Sequence, residues 1–172
     1  MLEKEYPAID FIAYDASFLN EFLNQLVSTH AVFLETDRHF VPNFHYALTD
    51  GGFQSVLVSP GKKEFDKYFE RDSIVLLPLI TRSPIDQKRH EPKLEKIIVD
   101  LFAGGALTWW WSPSELPDIL QSIFTSYVID YPTLNAYLNR RGLKERFYSF
   151  LKQEKMKGWC SFDSNGNFLF EN

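Results

Sequence analysis

Four short apolar runs, alternating with helical patterns, constrain this chain more than anything else in it. The runs are Ala8–Tyr14, Ala31–Thr36, Ser55–Ser59 and Ser73–Pro78. Each is continuous rather than alternating, the pattern of strands covered on both faces of a sheet. Between the first two, Ser17 can cap a helix whose stripe is Phe18, Leu19, Phe22, Leu23, Leu26 and Val27. Between the next pairs lie Pro42–Leu48, stopped by Gly51-Gly52, and Lys62–Phe69, opened by Pro60-Gly61. Strand and helix taking turns in this way predict an α/β layer.

The second half reads differently. Thr81–Glu91 is polar, carries Pro84, and reads as an exposed loop. Pro92 suits the first position of a helix, and Leu94, Ile97, Ile98, Leu101 and Phe102 follow at helical spacing. Lys93, Lys96 and Asp100 fall on the opposite, solvent-facing side, and Gly104-Gly105 ends the element. Leu107–Trp111 reads as a short strand. The next helix has two candidate caps, Ser112 and Ser114; Ser114 is preferred because it puts Pro117 in the first turn, where no bond is lost. Pro132–Arg141 and Leu143–Glu154 follow as helices, and the tail reads as a hairpin around Asn165-Gly166. The expected fold class is α/β, with α+β as the alternative. It has a mixed sheet of about four to six strands in a single domain, residues 1–172, and a mainly helical C-terminal half.

Charge and cysteine content narrow the function classes. The net charge is −5 on 172 residues, which argues against nucleic-acid binding by the whole surface. Cys160 is the single cysteine, so no internal disulfide forms. With no signal-peptide pattern and no membrane-length apolar run, the expectation is a cytoplasmic protein without membrane contact.

Candidate chemistry is sparse. Glu35 and Asp37 lie two apart at a strand end, so both could face one Mg²⁺, as in a nucleotidyltransferase; the Gly-Ser turn that would hold a triphosphate does not precede them. Asp86-Gln87-Lys88 matches half of a nuclease pattern but sits in a loop. His30, His39, His45 and His90 show no metal-ligand spacing. No catalytic residue and no cofactor are assigned. Arg140, Arg141, Lys144 and Arg146 form the densest basic cluster and could meet an acidic partner surface, although two arginines at a helix C-terminus also compensate its dipole. In Trp109-Trp110-Trp111, an extended backbone would turn Trp110 away from its neighbours and leave at least one indole for a binding hot spot, unless both faces are covered.

Several segments together resemble one family. They are Ile9-Asp10-Phe11-Ile12 with Ser17–Phe22, Val32-Phe33-Leu34-Glu35, Leu77-Pro78-Leu79-Ile80-Thr81, Pro92–Phe102, and Ser126–Ile129 through Leu138–Arg141. Their order and spacing resemble the C-terminal body of AbiEi-type antitoxins of type IV toxin–antitoxin systems. The residues Leu94, Glu95, Lys96 and Asp100 carry the most specific part of the match. The resemblance implies a bacterial antitoxin whose partner is a cognate, nucleotidyltransferase-like toxin, with a contribution to transcriptional autoregulation. In that family an N-terminal winged helix-turn-helix binds promoter DNA; this sequence starts at the body, so DNA contact is expected only with an additional domain. The partner-binding residues expected are Trp109, Trp110, Trp111, Arg140, Arg141, Lys144 and Arg146. The alternatives are a Mg²⁺-dependent nucleotidyltransferase-like enzyme using Glu35 and Asp37, or the effector body of a DNA-binding regulator.

Overall fold

The computed structural model describes residues 1–22, 30–155, 160–162 and 168–170. Its contacts group into two compact units: residues 1–21 with 25–93, and residues 22–24 with 94–172. The fold is α/β, with a mixed four-stranded sheet and a mainly helical C-terminal half.

The first unit opens with α1 (Leu2–Glu5) and β1 (Phe11–Asp15). It continues through β2 (Val32–Thr36), α2 (Val41–Asp50), β3 (Val56–Val58), α3 (Lys62–Tyr68) and β4 (Ile74–Pro78). The strand order is β1-β2-β4-β3. β1 runs antiparallel to β2, whereas β2, β4 and β3 are parallel. The chain leaving β2 through α2 therefore passes over the place of β4 before α3 returns it there.

Side-chain alternation sets what each face carries. On one face Phe11, Leu34, Ile74 and Leu76 meet Val41, Phe44 and Leu48 of α2. On the other, Phe33 and Val75 are fully buried and Tyr14 stacks on Phe33 at 5.4 Å between ring centres. Burial on both faces is why the parallel strands read as continuous apolar runs.

The loop expected at Thr81–Glu91 contains a small hairpin, β5 (Ile85–Asp86) paired antiparallel with β6 (Glu91–Pro92). Pro92 thus ends a strand instead of opening a helix, and α4 spans Leu94–Ala103. The helix predicted from Ser17 appears as a 3-10 turn over Ala16–Glu21, where Asp15 Oδ1 accepts the Ser17 N–H; its continuation past Phe22 lies outside the described residues.

In the second unit, α4 is followed by a 3-10 turn at Ala106–Thr108, then α5 (Leu116–Ser126), α6 (Tyr131–Arg141) and α7 (Lys144–Gln153). A strand at Leu107–Trp111 does not form. Gly105, at φ 112° and ψ −154°, turns the chain directly into the 3-10 turn, a backbone state open mainly to glycine. Ser112, not Ser114, supplies the cap of the next element: its hydroxyl accepts from Ser114 N, and Glu115 reaches back to the Ser112 N–H at 2.8 Å. A 3-10 turn over Pro113–Glu115 intervenes, so Pro117 still falls in the first turn of α5 and costs no hydrogen bond.

Asp130 caps α6, and Gly142 in the left-handed region (φ 64°) ends it. The apolar faces of these helices meet around Phe147. Its ring lies edge-on to Phe102 at 5.0 Å and 6.5 Å from Phe124. β7 (Cys160–Phe162) and β8 (Phe168–Phe170) pair antiparallel, as expected of a tail hairpin; its turn lies outside the described residues. No helix among the described residues is long and apolar enough to cross a membrane.

Phe147 is fully buried and joins three aromatic contacts, so little can collapse into its space. Phe147→Ala should cost about 3–5 kcal/mol of unfolding free energy, read as a lower urea midpoint with an unchanged slope. A loss under about 1 kcal/mol, the range of substitutions outside a packed core, would show the centre of the helical unit to be misplaced.

Candidate functional site

The signature helix α4 turns its charges inward. Glu95 is 6% and Lys96 1% exposed, which corrects the expectation of a solvated face. The reason lies in what faces them. Lys96 Nζ donates to Asp100 Oδ2 at 2.6 Å. The other carboxylate oxygen of Asp100 accepts from Arg141 Nη1 and, at 3.2 Å, from Tyr137 OH. Two cations from α4 and α6 thus share one carboxylate, and Tyr137 bonds both Asp100 and Arg141. Burial works to lower the Arg141 pKa, but the bonds to Tyr137 and Asp100 outweigh it and the value is raised. Glu95 acts separately: its Oε1 accepts the Asp130 N–H at 2.8 Å, just where α6 begins.

These contacts reassign part of the expected binding cluster. Arg141 belongs to the Asp100 network. Arg146 lies over the Phe102 ring, 5.4 Å from its centre. Arg140 is exposed and Lys144 half-buried. Trp111 is buried, and its indole N–H donates to Leu107 O at 2.8 Å. Trp109 and Trp110 are half-buried, with ring centres 6.1 Å apart. Helical backbone before them, rather than extended backbone, decides this split.

In the first unit, Glu35 and Asp37 are not brought together. Glu35 is buried on the face away from α2 and accepts the Tyr14 hydroxyl at 2.6 Å. The strand ends at Thr36, and Asp37 turns off to accept the His39 N–H at 2.8 Å and to meet the His39 ring at 2.9 Å. The backbone bond from His39, followed by the ring, lowers the Asp37 pKa. The i,i+2 geometry needed both residues to be extended, and the turn removes it. Among the described residues no three His, Cys, Asp or Glu side chains are placed to hold a metal ion.

A cavity of about 340 Å³ opens beyond the carboxyl ends of β2 and β4. Asp10 and Asp37 line it with Leu79, Arg82, Ser83 and Gln87. In open α/β sheets this is the end at which ligands bind. Gln87 donates to Asp10 across it at 3.2 Å. Asp86, the half-nuclease residue, is occupied by its own backbone. Its Oδ1 accepts the N–H groups of Lys88 and Arg89 and closes the hairpin turn. Sequence reasoning missed this cavity because Asp10 and Gln87 are far apart in the chain, and the segments in which each was read, Ile9–Ile12 and Asp86–Lys88, carry no sign that they meet.

A family model described as a family of unknown function, DUF6577, matches residues 1–157. The chain belongs to the DUF6577 family. The match takes in the whole sheet and all of α4 to α7, so both the strand-end cavity and the Asp100 network lie within the DUF6577 region. No curated protein and no solved structure matches the sequence.

The Asp100 network makes a distinguishing prediction. Asp100→Ala leaves two neighbouring cations, one of them buried, without their carboxylate and should cost about 3–5 kcal/mol. Lys96→Met, which removes the buried charge and keeps the volume, should cost far less. Equal losses for the two variants in urea unfolding would contradict the arrangement.

Proposed function

We propose that this DUF6577 chain is a protein-binding module of antitoxin type, acting by neutralising a nucleotidyltransferase-like toxin. The observation that carries this reading is the Trp109–Trp110 pair, partly open and fixed in place by the buried, hydrogen-bonded Trp111 next to it. Large rings held stiffly at a surface are the groups on which protein interfaces concentrate their energy. The resemblance of the segments around Ile9–Ile12, Leu77–Thr81 and Pro92–Phe102 to AbiEi-type antitoxins supplies the class of partner. Transcriptional autoregulation then requires a DNA-binding domain in addition to the sheet and helical units.

The commitments of the candidate acids support the same reading. Glu35 is bonded to Tyr14, Asp37 to His39, and Asp100 to Lys96 and Arg141. Each carboxylate stabilises local structure, which is a use that competes with metal binding or proton transfer. The strand-end cavity with Asp10 and Asp37 favours a second reading, a small-ligand site that nucleotides and Mg²⁺ would occupy. A rise in thermal midpoint with nucleotide and Mg²⁺ would select that reading, since a ligand bound to the folded state raises apparent stability.

The first reading is tested by co-purifying the chain with the toxin encoded beside its gene. Capture should occur, and Trp110→Ala should weaken it by about 2 kcal/mol or more without lowering the thermal midpoint. Arg141→Glu should instead lower the midpoint, because it reverses a charge facing Asp100. Failure of the intact chain to capture the toxin would overturn the assignment.

A further inference from the structure

Arg140, Arg146 and Lys152 are exposed in the helical unit, and the sheet unit carries an exposed basic group of its own. In residues 82–93, Arg82, Lys88, Arg89 and Lys93 are all exposed. The segment carries two carboxylates, Asp86 and Glu91, against these four cations, on a chain whose net charge is −5. Asp86 is taken up by the turn through Lys88 N and Arg89 N. Among the described residues no carboxylate pairs with any of the four, whereas Lys62, Lys96 and Arg141 all have acidic partners.

The hairpin is also held stiffly. The His90 ring stacks on Phe11 at 4.1 Å, nearly parallel, and its Nδ1 donates to Phe11 O at 3.1 Å. The His90 carbonyl accepts the Ala13 N–H, so β6 is fastened along the edge of β1. Lys93 N closes the base on Pro84 O. Beside it lies an open recess of about 530 Å³, with Lys88 and Lys93 in its wall together with Ser83 and the engaged Asp86.

Resting on the binding-module reading above, we infer that the β5–β6 hairpin is a docking arm for a carboxylate-rich segment of the partner protein, received between Lys88 and Lys93. Unpaired, exposed cations on a preorganised turn lose little conformational freedom on binding. They steer an acidic partner and fix its register. A protein segment is favoured over nucleic acid because these four cations fall within one short segment, residues 82–93. A polyphosphate backbone needs a long basic track, and beyond this hairpin it would meet a net negative chain. On the other side of Gln87 the strand-end cavity sets Asp10 and Asp37 beside Arg82, so the charge there is mixed and the acceptor side of the patch is the one between Lys88 and Lys93.

The test is fluorescence anisotropy with a labelled short oligoglutamate peptide at low ionic strength, beside oligothymidylate and a DNA duplex of similar length. The peptide should bind, and added salt should weaken it through screening. The K88E/R89E variant should bind roughly tenfold more weakly, while K63E/K152E, reversing exposed cations elsewhere, should bind like the parent chain. R82E/K93E provides a second hairpin variant should the first lose its circular-dichroism signature. Unchanged binding by a folded hairpin variant, absence of peptide binding, or tighter binding of either nucleic acid would overturn the inference. Capture of the toxin by K88E/R89E would remove the hairpin from the interface and leave the binding-module reading standing. Loss of toxin capture by the intact chain, with peptide binding at the hairpin retained, would overturn the toxin assignment alone.

Discussion

The helical unit is organised by one shared carboxylate. Asp100 meets a lysine from its own helix and an arginine from α6, and Tyr137 completes the set. A lysine as buried as Lys96 is costly to take from water, and the cost is tolerable only when the charge is matched and bonded. That requirement constrains the rotation of α4, because Asp100 must face Arg141 and Tyr137 of α6 while Ile97, Ile98 and Leu101 remain inside. It also fixes the place of α6, since Arg141 must arrive at the same carboxylate. Glu95 pins the other end of α6 by accepting the Asp130 N–H. Two residues of α4, Glu95 and Asp100, therefore set both ends of a neighbouring helix, while Tyr148 OH, donating to Asn135, ties α7 to α6 in turn. Among the described residues no buried side-chain polar atom lacks a partner, so the network is complete in the sense that buried polarity demands.

The sheet unit rests on a different constraint, the covering of both faces of its parallel strands. Once β2 and β4 are buried on both sides, polar side chains there must be satisfied locally. Glu35 is satisfied by Tyr14, and Thr36 donates its hydroxyl to Asp10 O. Polar groups then collect at the strand ends, where Asp10, Asp37 and the Leu79–Ser83 turn surround the cavity. The hairpin beyond that turn carries exposed Lys88 and Arg89.

Periodicity made β1 to β4 and α2 to α7 legible, because each shows the spacing of its own backbone geometry. It misjudged the charges of α4. A lysine and an aspartate four apart look like a solvent-facing pair, and only the approach of Arg141 and Tyr137 from another helix makes them interior. It missed the hairpin because two-residue strands have no period to read, and Pro92 signals a helix start as readily as a strand end. It read Trp109–Trp111 as extended because aromatic residues favour strands, while the conformations of Gly104 and Gly105 decided otherwise. Of the expected partner-binding residues, Trp111 and Arg141 serve the interior, and neither role can be seen without knowing what faces them.

The outer strand of the sheet, β3, is only three residues long, and immediately after it the chain runs Ser59-Pro60-Gly61-Lys62-Lys63. A proline offers no N–H to a neighbouring chain. The sheet thus closes this margin against growth: brevity and a missing donor together discourage two molecules from joining edge to edge into a continuous ribbon.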